Sequence, residues 1–257
     1  PDMPLSITKA DTGRGLNFAV RMDGQVSGVH IDANLPKGAE RHLTPIEAVL
    51  TSLGEVADDL NRDLTPVGLQ DRLRKECQRL VPPVKGMIEA GIDAEQTLAA
   101  TYDRLDALPE AGPFETLTVE QFAKMNLAGK AGFTQSANRL QLAAVLRAGR
   151  DIAAPEIDPA IWTGLVARYR RLSLINSYGL QSKFAGSSSL NDPFAPAKPD
   201  QGAAEQAASE MMKSVAADAE KINNLKRLIQ NLSFAVGIMC GVSADSAFHF
   251  LTGEAAL

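Results

Sequence analysis

The sequence predicts a mainly α protein: a multi-helix bundle with a small N-terminal β-hairpin and a long C-terminal helix. Three patterns lead to this. Apolar and polar residues alternate ahead of His42, proline-marked helix starts with three-to-four spacing run from Thr44 to Asn176, and an alanine-rich stretch follows residue 202. The chain accordingly divides into an arm and hairpin (1–43), a helical body (44–181), a linker or loop (182–202) and a C-terminal helical segment (203–257).

Residues 1–15 are polar and lack a period, which predicts a flexible lead-in. Leu16, Phe18, Val20 and Met22 then alternate with Asn17, Ala19 and Arg21, the two-residue repeat of a half-buried strand. Asp23-Gly24 supplies the positive φ angles of a tight hairpin turn, and Val26, Val29 and Ile31 form the returning strand, with a bulge expected at Ser27-Gly28. A two-stranded ribbon is marginal in water, so it must lean on helices or pair with another chain.

Thr44-Pro45-Ile46-Glu47 reads as a capping hydroxyl, a proline in the first turn and a reciprocal carboxylate, followed by Val49, Leu50, Leu53, Val56 and Leu60 on one helical face. Thr65-Pro66 repeats the start signal. Val67, Leu69, Leu73, Cys77, Leu80 and Val81 form the next inner face, and Pro82-Pro83 is expected to end it. Asp93 is expected to cap a helix through Leu98, Tyr102, Leu105 and Leu108, which Pro109 and Gly112-Pro113 close; Thr118 with Gln121 opens another. Residues from Thr134 to Gly149 read as one helix, and Asp158-Pro159 starts a longer one that fades near Asn176. The Ser-, Pro- and Gly-rich segment 182–202 has no sustained period. Beyond it, Met211, Val215, Ile222, Leu225, Leu228, Ile229, Leu232 and Val236 mark a helix of nine or more turns, with a short helix expected from Ser243 to Leu251.

The 257 residues are 45% apolar and 22% charged, a globular composition that excludes collagen-like, disulfide-scaffold and wholly disordered classes. A net charge of −5 gives no overall attraction to nucleic acid or anionic lipid, and few aromatics lie among the arginines to stack on bases. Charge does alternate in blocks. Residues 62–85 and 139–171 each hold six basic and three acidic side chains, whereas 86–120 hold eight acidic and one basic. No secretory leader is legible at the start, and the nearly uncharged run from Leu228 to Ala244 is shorter than the roughly 20 residues of a spanning helix. The expected setting is therefore cytoplasmic, or a complex assembled inside the cell.

Linear signatures of catalysis are missing: GxSxG, Walker, HExxH, EF-hand and GxGxxG patterns do not occur. His30, Asp32, Glu40 and His42 are the densest set of potential ligands, but their loop spacing reads as a solvated hairpin end, so no metal or cofactor is predicted. Cys77, with Arg72, Arg74, Lys75 and Arg79 nearby, and Cys240 read as two buried thiols. His249, between Phe248 and Phe250, reads as a packing residue.

The strongest clue is the apolar end of the last long helix, where SFAVGIMCGV is nonpolar on almost every side and must be covered, by the bundle itself if this is its central helix, by a second protein or another copy, or by a membrane. The sequence therefore predicts a non-enzymatic assembly or interaction protein that binds other subunits, or itself, through Leu225, Leu228, Ile229, Leu232, Phe234, Val236, Gly237, Met239 and Gly241, the two glycines permitting close helix approach. Two alternatives stand beside it: a hydrolase or transferase whose active site is drawn from separate elements, and a regulatory or host-directed binding module.

Overall fold

A computed structural model describes residues 5–13, 15–63, 66–184 and 200–255, and these described residues fold into a small antiparallel sheet and eleven α-helices. Strands β1 (Ser6–Asp11), β2 (Leu16–Met22) and β3 (Gln25–Ile31) pair in that spatial order. The alternation in β2 puts Phe18, Val20 and Met22 on the buried face beside Val29 and Ile31 of β3. Asp23 (φ 49°) and Gly24 (φ 79°) both adopt the left-handed values that a two-residue hairpin needs. Two expectations are corrected here. The lead-in includes strand β1, whose backbone pairs with β2 from Ser6↔Arg21 to Asp11↔Leu16; its mostly exposed side chains leave no burial period to read. No bulge interrupts β3, which runs in register from Met22↔Gln25 to Leu16↔Ile31.

Helix α1 (Leu43–Asp63) continues directly from a 3-10 turn at Glu40–His42. Thr44 is thus inside the helix rather than its cap, and Pro45 falls in the first turn, where its missing N–H leaves no bond unmade. Proline does open α2 (Pro66–Cys77), as expected. Pro82-Pro83 do not end that helix. After a 3-10 turn at Gln78–Leu80 they occupy the first turn of α3 (Val81–Asp106), the other place where proline costs little. This single 26-residue helix passes through Asp93, which is therefore no cap. Gly91 does not break it. A side chain there would meet Leu225 Cδ2 at 3.0 Å, so the glycine serves close packing rather than a stop.

Next come α4 (Glu115–Lys124), which starts before Thr118, α5 (Leu127–Ser136) and α6 (Arg139–Ala148). The single helix expected from Thr134 is split, because Asn138 and Gln141 form a reciprocal capping box at the start of α6. Gly149 (φ 81°) ends α6 as expected, and a single turn, α7 (Arg150–Ala153), follows. Asp158 caps Ala160 N–H at 2.7 Å to begin α8 (Pro159–Ser177), which a second short turn, α9 (Leu180–Lys183), succeeds. Of the expected linker, residues 185–199 lie outside the described residues, and Gln201 already belongs to α10 (Gln201–Cys240). Ser243 caps the last helix, α11 (Ala244–Leu251).

The chain forms two compact units, residues 1–98 with 217–257, and residues 99–216. In the first, the buried sheet face meets Ile46, Val49, Leu50 and Leu53 of α1, Leu73 and Cys77 of α2, Val84 and Met87 of α3, and the α10 stripe from Leu225 to Cys240. In the second, Phe122, Leu142, Val145, Leu165 and Tyr169 form one core, with Trp162 partly buried against it. Tyr169 gives its hydroxyl proton to Ala107 O at 2.6 Å, which satisfies the buried phenol. Leu105, Leu174, Ile175, Leu180, Ala204 and Ala208 form another cluster in this unit.

Candidate functional site

Along α10 buried residues recur at helical spacing from Ile222 to Ile229, and from Leu232 to Cys240 Phe234 alone is exposed. Six of the nine residues expected to meet a partner, Leu225, Leu228, Ile229, Leu232, Val236 and Met239, are at most 8% exposed and packed within the first unit's own core. Full burial of such a side chain is worth about 1.5–3 kcal/mol, so the chain itself supplies the shelter that the sequence demanded. Phe234 is different, standing 56% exposed. The two glycines have local work. Gly241 (φ 65°) reverses the chain, its N–H reaching Ile238 O at 3.4 Å while Val242 N–H reaches Gly237 O at 2.9 Å, the paired bonds of a Schellman helix end.

An opening is left in this packing. Ile88 and Ile92 of α3, Ile222, Leu225 and Ile229 of α10, and Phe248 of α11 line an apolar cleft of about 250 Å³. Ile92 is 48% and Phe248 39% exposed, so the mouth itself is apolar. Glu95 pairs with Lys226 at its edge, and Glu89 and Asp93 are exposed on α3 to either side of Ile92. Two of the expected contact residues, Leu225 and Ile229, thus form the floor. Ile88, Ile92 and Phe248 were not singled out, since no linear pattern announces a cleft assembled from three helices.

The ligand-like residues near the hairpin separate. His30 and Asp32 border a cavity of about 130 Å³ with Asn224, Arg227 and Asn231 of α10, but Glu40 and His42 do not. His30 Nδ1 is 2.6 Å from Asn17 Oδ1, and Asp32 accepts from Asn34 N–H at 2.9 Å, an Asx turn. The ring of His42 packs over Gly86 of α3 instead. Burial and then the Arg41 charge lower the His42 pKa, and Arg41 Nε–H donates to His42 Nε2 at 3.1 Å, which fixes that nitrogen as an acceptor. Among the described residues, no three His, Cys, Asp or Glu side chains gather as metal ligands.

His249 is exposed rather than packed, its Nδ1 2.7 Å from Glu254 Oε2. Both cysteines are fully buried free thiols, as the sequence predicted, and their side chains hydrogen-bond to each other. That bond, burial, and the nearby charges of Cys240 and Glu76 push Cys77 well above the usual thiol range. The same bond, with Arg74 assisting against burial, lowers Cys240.

The second unit has an apolar surface of its own, where Phe114, Leu117 and Leu140, each more than half exposed, border a cavity of about 420 Å³. Among the described residues no single helix is long and apolar enough to cross a membrane; α10 and α11 reach that length and composition only together, across a 109° bend. Comparison with protein-family models, curated proteins and solved structures gives no match to this chain.

Proposed function

We propose that the protein is a non-enzymatic interaction protein, a component of a larger complex, and that the cleft between α3, α10 and α11 receives an apolar anchor of a partner protein. One observation carries this reading: Ile92 and Phe248 stand exposed at the mouth of a cavity whose walls are mainly apolar. Isolated exposed apolar residues are ordinary on a protein surface, but a concave apolar site with apolar lips favours occupation by an anchoring side chain. Glu89 and Asp93 around Ile92 suit a partner whose anchor has basic neighbours, because opposite charges at a rim speed and orient encounter. The buried α10 stripe holds the floor rigid, so the contact assigned to the helix narrows to Leu225, Ile229 and their new companions.

A benzophenone amino acid in place of Phe248 provides the test. Illumination in an extract of the producing cells is expected to give one discrete protein adduct, and the purified partner is expected to bind the unmodified chain at least tenfold more tightly than its Ile92→Glu form. An adduct of twice the chain mass identifies a second copy as the partner. No adduct, or equal binding by the Ile92→Glu chain, overturns the reading.

A further inference from the structure

The chain has two cysteines, far apart in sequence, and the fold brings both into one place. Cys77 ends α2 and Cys240 ends α10. Two features outside the thiols fix this juxtaposition. Arg74, one helical turn before Cys77, donates from an Nη to Cys240 O at 3.4 Å, and both cysteines belong to the same buried cluster. Arg74 Nε is also buried with no hydrogen-bond partner among the described residues, so a guanidinium donor stands uncommitted beside the pair.

We propose that Cys77 and Cys240 form a redox pair, closed by a hydroperoxide to an intramolecular disulfide that ties the end of α10 to α2. The Cys77 thiol donates its hydrogen bond to Cys240, and the positive charge of Arg74 favours the Cys240 thiolate, which makes Cys240 the attacking sulfur. Its electron pair bonds the terminal oxygen of hydrogen peroxide, the O–O bond breaks, and the other oxygen leaves as hydroxide, which the proton released by the Cys240 thiol converts to water, giving a sulfenic acid at Cys240. The Cys77 sulfur then attacks the sulfenyl sulfur, the S–O bond breaks, and hydroxide leaves with the Cys77 proton as a second water. Two thiols and one peroxide thus become one disulfide and two waters. A dithiol reductant reverses the change. The buried pair lies close beneath the surface at the helix end, where Gly241, adjoining Cys240, is exposed and the Arg74 side chain is 34% exposed.

The experiment treats the reduced full chain with hydrogen peroxide under native conditions. The expected product is a monomer about 2 Da lighter, with both thiols lost together, one cross-linked peptide joining Cys77 to Cys240, and full recovery in dithiothreitol. In Cys77→Ser, Cys240 is expected to stop at the sulfenic acid and to be captured by dimedone. The wild-type chain decides alone if that variant fails to fold. Thiols that survive peroxide in the folded chain but react once it is denatured, or that yield linked dimers or sulfonic acid instead of the internal bridge, overturn the proposal.

Discussion

His42 shows how one side chain can be bound to the fold by what it lacks. Burial penalises its cation and Arg41 repels it, which together outweigh the attraction of Glu89 and lower its pKa. The unfolded chain therefore takes up a proton at higher pH than the folded one, and stability rises with pH across that interval. This contribution is present above the ordinary histidine value and is lost as pH falls through the lowered folded value. His42→Gln, which retains an acceptor for Arg41, is expected to lose less stability than the natural chain between about pH 8 and pH 5. Urea midpoints at both pH values check this, and equal losses would refute it.

At the scale of elements, what was legible depended on whether the signal was local. Strands β2 and β3, the start of α8 at Asp158-Pro159 and the length of α10 all rest on contiguous residues, and each appears where the pattern puts it. The same proline chemistry misled at Pro82-Pro83, since a residue that cannot continue a helix is equally at home beginning one. Asp93 misled because a good cap is overridden when a facing helix packs against the segment. The Asn138–Gln141 box went unread in a region that looked periodic throughout, although its two residues carry the signal in plain form. Its weight is measurable. Asn138→Ala leaves the N–H of Gln141 without its cap and is expected to cost about 1 kcal/mol, while Asn138→Asp or Asn138→Ser retains most of it. Chemical denaturation of the three variants decides, and an alanine form as stable as the aspartate form would argue against the cap.

Over the whole molecule, the sequence marked the oily end of α10 as a surface in need of cover but could not choose between the bundle itself, a partner and a membrane. Cover came from α1, α2, α3 and the sheet, all far upstream, and so did the α3 wall of the cleft and the sulfur facing Cys240. Contacts between distant segments leave no trace in local periodicity. The dependence runs in both directions. A chain without residues 217–257 loses Leu225, Leu228, Leu232, Val236 and Met239 from the first unit's core, so the amides of β2 and α1 are expected to lose their protection from hydrogen exchange. Protection retained there would mean that the sheet and α1 stand without α10.

The placement of a few scarce side chains gives each unit its own natural reporter. Trp162, the chain's single indole, lies against the core of residues 99–216, whereas both sulfhydryls lie in the unit that holds the sheet. Intrinsic fluorescence therefore follows the melting of one half, and the rate of alkylation follows the opening of the other, with no label introduced into either.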